Sequence, residues 1–341
     1  MFPTDETSDR GQILVIVGLL IAVILVALAL VLNAAIFTEN LSTRETADSE
    51  KPSSYAADTG STIADVYNRT NDNDTRKAVY ANTSFNESLE TWADSRSDTA
   101  AENGALFVAD WTTYVGWRLE QDEDRSFTPA DDDSTTEWAL SNGTNVRNVS
   151  TFEMDVSRDD LYEGDDQDDV KNNAFNITVS DGSDDWTLYV FKDNTDIVVH
   201  SGDPGAFSSL SDLLSASDTC TQDSSRAVID LRNEKLAGDD CSALDFSPAV
   251  SGPLEIRYGN VQATDGTERV NGTYALVVNG SDAVATDADG HPKRFNVSGK
   301  MPPTATAVVY AARYDTRYQR KEVVHDVEGW HSPRAEAYQP S

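Results

Sequence analysis

The strongest constraint on this chain is an uninterrupted apolar run near its N-terminus, over residues 13–32. The run holds no charged residue, no Pro and a single Gly, Gly18, and apolar residues continue as far as Phe37. Roughly twenty helical residues cross the ~30 Å hydrocarbon core of a bilayer. A helix is expected because lipid offers no partner to an unpaired backbone N–H or C=O. The run predicts a transmembrane helix over residues 13–37, with the lipid bilayer as a partner.

Two other interpretations of the run are a buried core helix and a cleaved secretory signal. A buried core helix of this length normally carries polar residues on one face. A cleaved secretory signal usually has a basic start, a shorter apolar region and a small-x-small cleavage site. The leader, residues 1–12, is net acidic, and Arg10 is its only basic residue. The transmembrane interpretation is therefore favoured, with everything after Phe37 on one side of the membrane.

The composition of the chain is strongly acidic, with a net charge of −33 and a pI near 4.2. Disorder is one explanation of such a charge. However, 39% of the residues are apolar, and six Trp, twelve Tyr and eleven Phe supply material for a core. A folded domain with an acidic surface suits high salt, which screens self-repulsion. The composition thus predicts a halophilic source, and it argues against nucleic acid as a partner.

Two cysteines, Cys220 and Cys241, lie twenty-one positions apart. In an oxidising compartment they would form a disulfide worth about 3 kcal/mol in the chain-entropy model. In a reducing compartment they would be two small buried thiols. Because both fall in one segment that looks extracellular, the disulfide is the preferred prediction.

Eleven Asn-x-Ser/Thr sequons are present, more than chance would give in a Ser/Thr-rich chain. A glycosylated outer face is the simplest cause, and a merely polar surface is the alternative. With the cysteine pair, the sequons favour a cytoplasmic N-terminus and an extracellular C-terminal domain, since flanking Lys and Arg are too sparse to orient the helix. The candidate glycosylation sites are Asn40, Asn68, Asn73, Asn82, Asn86, Asn142, Asn148, Asn176, Asn271, Asn279 and Asn296.

The remaining chain divides by its periodicity. Over residues 38–125, apolar residues such as Leu89, Trp92, Trp111 and Trp117 fit one helical face, which predicts a helical stalk or packing region. Over residues 126–330 the period changes to two, with Asp, Asn, Gly and Ser clusters at the turns. Residues 331–341 are predicted to be a loose tail. The expected fold class is α+β: an N-terminal transmembrane helix, a helical stalk, and a mostly antiparallel, β-sandwich-like extracellular head.

Within that head, short strands are predicted with one short helix, over residues 207–216, interrupting them. The predicted strands cover residues 135–140, 150–156, 174–179, 186–191, 196–200, 227–231, 254–258, 274–278, 294–297, 305–314 and 319–327.

No residue pattern in the sequence points to catalysis. The Asp-rich runs at residues 131–133, 165–169 and 287–289 lack the ligand spacing of an EF-hand. The four His residues are far apart, and no phosphate loop, GxSxG elbow or HExxH motif occurs. We therefore expect no metal, no cofactor and no enzymatic activity.

Arg10-Gly11-Gln12, followed directly by the apolar run, resembles the class III signal peptides of archaeal type IV pilins and archaellins. This resemblance covers residues 9–37. The longer stretch from Asp9 to Arg44 also looks like that of uncharacterised haloarchaeal surface proteins. The signal-peptide resemblance implies cleavage between Gly11 and Gln12 by a membrane peptidase. It also implies two kinds of partner: like subunits, which pack through the N-terminal helix, and a pilus-type secretion machinery. One departure is Ile16, which stands at the fifth mature position, where many type IV pilins carry Glu.

Three functions follow as hypotheses. The first is a membrane-anchored, pilin-like cell-surface structural protein that assembles and presents an acidic, glycosylated ectodomain. The second is a stand-alone, membrane-tethered binding or sensor module. The third, a tethered extracellular hydrolase, has the least support because no catalytic constellation is visible.

Overall fold

The computed structural model describes the chain over most of its length. The described residues are Leu19, residues 21–23, Leu25, Val26, Leu28, Tyr55 and residues 57–72, 77–141, 149–246, 249–250, 254–263, 266–281, 283–286, 292–296, 302–321 and 323–332. The chain divides into two units, Met1–Thr59 and Gly60–Ser341.

In the first unit, the described residues of the apolar run have helical backbone and exposed side chains. No helix in the described ranges is long and apolar enough to cross a membrane. This finding contradicts the predicted transmembrane helix over residues 13–37, and with it the single-pass localisation with an extracellular C-terminal domain. The physical reason is that hydropathy scores side chains one by one, whereas a span needs about twenty consecutive residues in one helix.

The second unit is mostly antiparallel β-structure, which corrects the predicted α+β class. Residues 60–71 are helical. Three further α-helices follow along the described chain: α1 (Ala78–Glu102), α2 (Gln167–Asn173) and α3 (Leu210–Leu214). The strands are β1 (Leu106–Ser126), β2 (Trp138–Ser141), β3 (Val149–Ser157), β4 (Phe175–Ser180), β5 (Asp185–Asp193), β6 (Asp196–Ser201), β7 (Thr219–Asp223), β8 (Arg226–Asp230), β9 (Lys235–Leu236), β10 (Asp239–Asp240), β11 (Glu255–Gly259), β12 (Asn271–Asn279), β13 (Thr304–Arg320) and β14 (Val323–His331).

These strands form two sheets. The larger has eight strands in the order β10-β9-β8-β3-β12-β1-β13-β14, and the smaller has six in the order β2-β11-β4-β5-β6-β7. Neighbouring strands pair antiparallel throughout. Alternate side chains of both sheets meet in one core, including Phe152 and Leu276 from the larger sheet and Ile177 and Val199 from the smaller.

The predicted helical stalk over residues 38–125 does not run to its end as helix. Helix α1 ends at Glu102, and Gly104 lies just beyond its C-cap residue with a φ of +69°, which Gly adopts without strain. There Gly104 N–H donates to Ala101 O and Ala105 N–H donates to Ala100 O, the double hydrogen bond of a Schellman cap. Strand β1 then begins, because the segment that follows is rich in the β-branched and aromatic residues that favour strands.

Helical residues cover one end of the larger sheet. Phe85 and Leu89 of α1 and Ile63 of the preceding helical segment are buried in a cluster with Val309 and Ala312 of β13. Because these apolar residues recur at helical spacing, each helix turns one face to the strands.

Candidate functional site

The structure describes the two predicted disulfide cysteines but not the two predicted processing residues. Gly11 and Gln12 lie outside the described residues. The sulfur atoms of Cys220 and Cys241 are 2.14 Å apart, at disulfide-bonding distance, and their Cα atoms are 6.0 Å apart. Cys220 belongs to β7, and Cys241 directly follows β10, so the pair joins the edge strands of the two sheets.

The sequons differ in exposure. Asn68 is exposed on the helical segment, whereas Asn82, Asn86, Asn176, Asn271, Asn279 and Asn296 are half-buried. Asn40, Asn73, Asn142 and Asn148 lie outside the described residues.

Asn86 is a structural residue in the folded chain. Its Oδ1 accepts hydrogen bonds from Trp111 Nε1 at 2.7 Å and from Thr113 Oγ1 at 3.0 Å. Its Nδ2 donates to the Asn82 carbonyl oxygen at 2.8 Å. The carboxamide therefore ties α1 to β1, and both of its ends are engaged.

Of the four His residues, His200 has the most unusual surroundings. Its side chain is fully buried, and Nδ1 lies 2.9 Å from Thr219 Oγ1. The Thr219 hydroxyl donates its single hydrogen to the Leu213 carbonyl oxygen at 2.8 Å. His200 Nδ1–H must therefore be the donor to Thr219, which leaves Nε2 as a buried acceptor with no partner in the described part of the chain. Burial lowers the pKa of His200, opposed by the Asp218 carboxylate.

The Asp-rich runs at residues 131–133 and 165–169 lie at the surface, and residues 287–289 fall outside the described ranges. No group of three or more His, Cys, Asp or Glu that could hold a metal ion occurs among the residues that the structure describes.

A polar cavity of about 190 Å³, here named the amide pocket, lies among the described residues. It is lined by Thr136, Asn172, Asn173, Asn260, Gln262, Ala263 and Arg269. These residues come from three distant parts of the chain, which meet because β11 pairs with both β2 and β4. Two buried aromatic residues lie next to the pocket in sequence: Phe175 follows Asn173 by two residues, and Tyr258 precedes Asn260 by two. Their ring centres are 5.3 Å apart, so the strands that carry the pocket residues pack together in the core.

One wall of the amide pocket is the carboxyl end of α2. Asn260 Nδ2 donates to the carbonyl oxygens of Asn172 and Ala174, both at 3.1 Å. Arg269 Nη1 donates to the Asn173 carbonyl oxygen at 3.2 Å. The last carbonyls of a helix have no partner within the helix, so these two side chains satisfy them and fix the wall.

Arg269 is also held from its other side. Its guanidinium carbon lies 4.4 Å from the centre of the Tyr162 ring, a cation–π contact. Burial raises the pKa of Tyr162, the Asp169 carboxylate adds to the rise, and Arg269 opposes it. The guanidinium plane is therefore set before any ligand arrives, which reduces the entropy lost on binding.

The floor of the pocket is equally fixed. Gln262 is buried, and its Nε2 donates to the carbonyl oxygens of Asp133 at 2.6 Å and Thr135 at 3.3 Å. By contrast, Asn172 and Asn173 accept hydrogen bonds through their backbone carbonyls, and within the described ranges their carboxamides and the hydroxyl of Thr136 make none. The pocket thus combines rigid support with hydrogen-bonding groups that remain available.

A second concavity, of about 430 Å³, lies on the β1–β13–β14 face and is lined by Val108, Asp110, Asp315, Thr316, Arg317, Asp326, Val327 and Glu328. Its charged groups largely engage each other. Arg317 Nε is 3.7 Å from Asp326 Oδ1, and neighbouring Arg313 donates to Glu328 Oε1 at 2.5 Å. Exposed pairs of this kind contribute little free energy and are screened by salt.

Known proteins supply no further guide, because no protein-family model, curated protein or solved structure matches this chain. The amide pocket was not predicted from the sequence. Two signals pointed to it: the Asn172-Asn173 doublet at the end of a short acidic segment, and Asn260 directly after a predicted strand.

Proposed function

We propose that this protein acts by recognition and that Gly60–Ser341 is a non-catalytic binding domain whose ligand occupies the amide pocket. One observation carries the proposal: Asn172 and Asn173 line one pocket together with Arg269, whose guanidinium is held between the Asn173 carbonyl oxygen and the Tyr162 ring. In small-molecule sites, a few precisely placed polar groups fix the orientation of the ligand and supply specificity.

This proposal develops the binding-module hypothesis of the sequence, without its membrane tether. The pilin-like assembly hypothesis stays a prediction, since Arg10, Gly11 and Gln12 lie outside the described residues. N-terminal sequencing of the mature protein tests it directly, because cleavage would leave Gln12 as the first residue.

A screen of small polar molecules by ligand-observed NMR tests the binding function. Asn173→Ala and Arg269→Lys should weaken the binding of any ligand found, because one removes a carboxamide and the other the planar fork. Asn68→Ala and Arg257→Lys are matched controls, since Asn68 is an exposed helical asparagine and Arg257 is an exposed strand arginine. The proposal fails if every ligand binds the Asn173 and Arg269 variants as tightly as it binds the controls.

A further inference from the structure

The charge around the amide pocket restricts its ligand. Among the described residues that line the cavity, Arg269 is the charged one, and it disfavours a cation at close range. An anion gains less from Arg269 than from a free guanidinium, because Arg269 already donates to the Asn173 carbonyl oxygen and stacks on the Tyr162 ring. The carbonyls at the carboxyl end of α2 also carry partial negative charge. The carboxylates of Asp165 and Asp169 lie close enough to raise the pKa of Tyr162, beneath Arg269, although burial is the larger cause. A ligand without net charge meets neither penalty.

The lining also restricts the ligand's polarity. Ala263 is the apolar residue among the described residues of the lining. The Tyr162 ring offers no open face on the side where the Arg269 guanidinium stacks on it. An apolar or aromatic ligand would therefore leave the pocket's donors and acceptors without partners, at the cost of their desolvation.

The free groups match hydroxyls. Each carboxamide of Asn172 and Asn173 places donors beside an acceptor, and Thr136 adds a hydroxyl that can do either. Adjacent hydroxyl groups on a carbon ring likewise donate and accept side by side. At roughly 30 Å³ per water molecule, the 190 Å³ cavity has room for a single small ring.

Resting on the proposed function, we infer that the amide pocket binds a neutral, polyhydroxylated ring, that is, an uncharged monosaccharide unit. The unit could be free or the terminal residue of a glycan, because both present the same hydroxyls. Asn172, Asn173 and Thr136 bind the hydroxyls, and Arg269 donates to ring or hydroxyl oxygens through the nitrogens that do not contact α2.

Saturation-transfer NMR on the full chain, at fixed salt and pH 7, tests the ligand class. The probes are glucose, galactose and mannose, with glucuronate and glucosamine as charged rings of the same size, and a set of glycans ending in neutral sugars. At least one neutral ring should bind, and Asn172→Ala and Asn173→Ala should each weaken it about tenfold, while Asn68→Ala should leave it unchanged. Binding of glycans without the free sugar would support the class and assign the source.

Other outcomes separate this inference from the proposed function. Tighter binding of glucuronate or glucosamine than of the neutral rings, still weakened by the Asn173 variant, would overturn the ligand class and retain the pocket. Binding of a sugar that no pocket variant weakens would overturn both. No binding of any sugar would overturn the inference, and the screen of polar molecules would then decide the proposed function by itself. Thermal unfolding of each variant confirms that loss of binding is not loss of fold.

Discussion

Cys220 and Cys241 join the free edge of one sheet to the free edge of the other, since β7 and β10 are the outermost described strands of the two sheets. Such edges are where strands otherwise separate or recruit other chains. A covalent link at this point closes the side of the core nearest Val199, which pairs with Cys220.

The first prediction concerns this link. Reduction, or Cys220→Ser with Cys241→Ser, should lower the free energy of unfolding by about 3 kcal/mol, because the closed loop restricts the unfolded chain. Urea unfolding with and without reductant measures the change, and the double variant should not respond to reductant. Mass spectrometry after alkylation should find no labelled thiol in the native protein; labelling of both cysteines would show that they are reduced.

The second prediction concerns Asn71. Its side chain forms hydrogen bonds with the backbone of β13 at Val309, beyond the point where pairing with β14 ends. Strand β14 pairs with β13 only as far as Ala312, within the described residues. Further along β13, Asn71 Nδ2 donates to Val309 O at 2.9 Å, and Val309 N–H donates to Asn71 Oδ1 at 2.8 Å. Asn71→Ala leaves both buried backbone groups unpaired and should cost about 2–4 kcal/mol in urea unfolding.

Asn71→Asp separates these two hydrogen bonds. The carboxylate can still accept from Val309 N–H, but it faces the Val309 carbonyl oxygen without a hydrogen to donate. We expect this variant to be destabilised at pH 7 and partly restored at low pH, where a protonated carboxyl can donate. Equal stability of Asn71→Asp and the native protein at pH 7 would contradict the assigned pairing.

The third prediction concerns Asn86, the sequon residue that ties α1 to β1. Asn86→Ala should cost about 1–3 kcal/mol, because Trp111 Nε1 loses its acceptor in a half-buried site. Asn68→Ala, on an exposed helical face, should change stability by less than about 0.5 kcal/mol.

Trp111→Phe removes the hydrogen-bond donor, so Asn86→Ala and Trp111→Phe together form a double-mutant cycle that measures this contact. The double variant should lose less than the sum of the single variants, with a coupling of about 0.5–3 kcal/mol. Strict additivity would show that the two side chains do not interact. For the same reason, glycopeptide analysis of folded protein should find Asn86 unmodified.

The fourth prediction concerns pH. Burial lowers the pKa of His200 and of half-buried His331 below the usual value, so the unfolded chain binds protons more readily than the folded chain. The stability is complete above about pH 6.5 and falls as the pH drops through the lowered values, by at most about 1.4 kcal/mol per pH unit for each residue.

Two variants isolate these contributions. His200→Asn keeps a hydrogen-bond donor for Thr219 without a titrating group. His331→Phe keeps an aromatic ring beside Tyr67, because the ring centres of Tyr67 and His331 are 4.6 Å apart in the native protein. Urea unfolding between pH 5 and 7 should depend less on pH in each variant. An unchanged slope in the double variant would show that other groups cause the dependence. Asp203 and Asp240 do not contribute to the pH dependence between pH 5 and 7. Their pKa values are lowered, so both carboxyl groups titrate at more acidic pH.

Several elements of the β-rich unit were predictable because their signal is local. The predicted strand at residues 186–191 falls within β5, where alternate side chains are buried in the core. The predicted helix at residues 207–216 contains α3, which begins where Ser209 Oγ accepts from Asp212 N–H. At residues 294–297 the prediction did not hold, since Asn296 makes only an isolated bridge to Thr304 among the described residues.

Strand β1 was mistaken for helix because its apolar residues serve two environments. Trp111 packs against α1, whereas Trp117 and Leu119 lie in the core between the sheets. The first half of β1 is covered by helical residues and the second half by the other sheet. The positions of the apolar residues over the two halves together therefore resemble the spacing of one helical face. Gly104 was the local signal that separated α1 from β1.

The sequence by itself determined the acidic surface, most of the strand positions and the pairing partner of each cysteine, because charge, side-chain alternation and a count of two are properties of the chain alone. The tertiary structure decided what covers each strand and which polar residues meet. Thr136, Asn172 and Arg269 line one pocket because the order β2-β11-β4 brings their loops together. No local pattern encodes that order, since it depends on the free energy of burying both sheets in a common core.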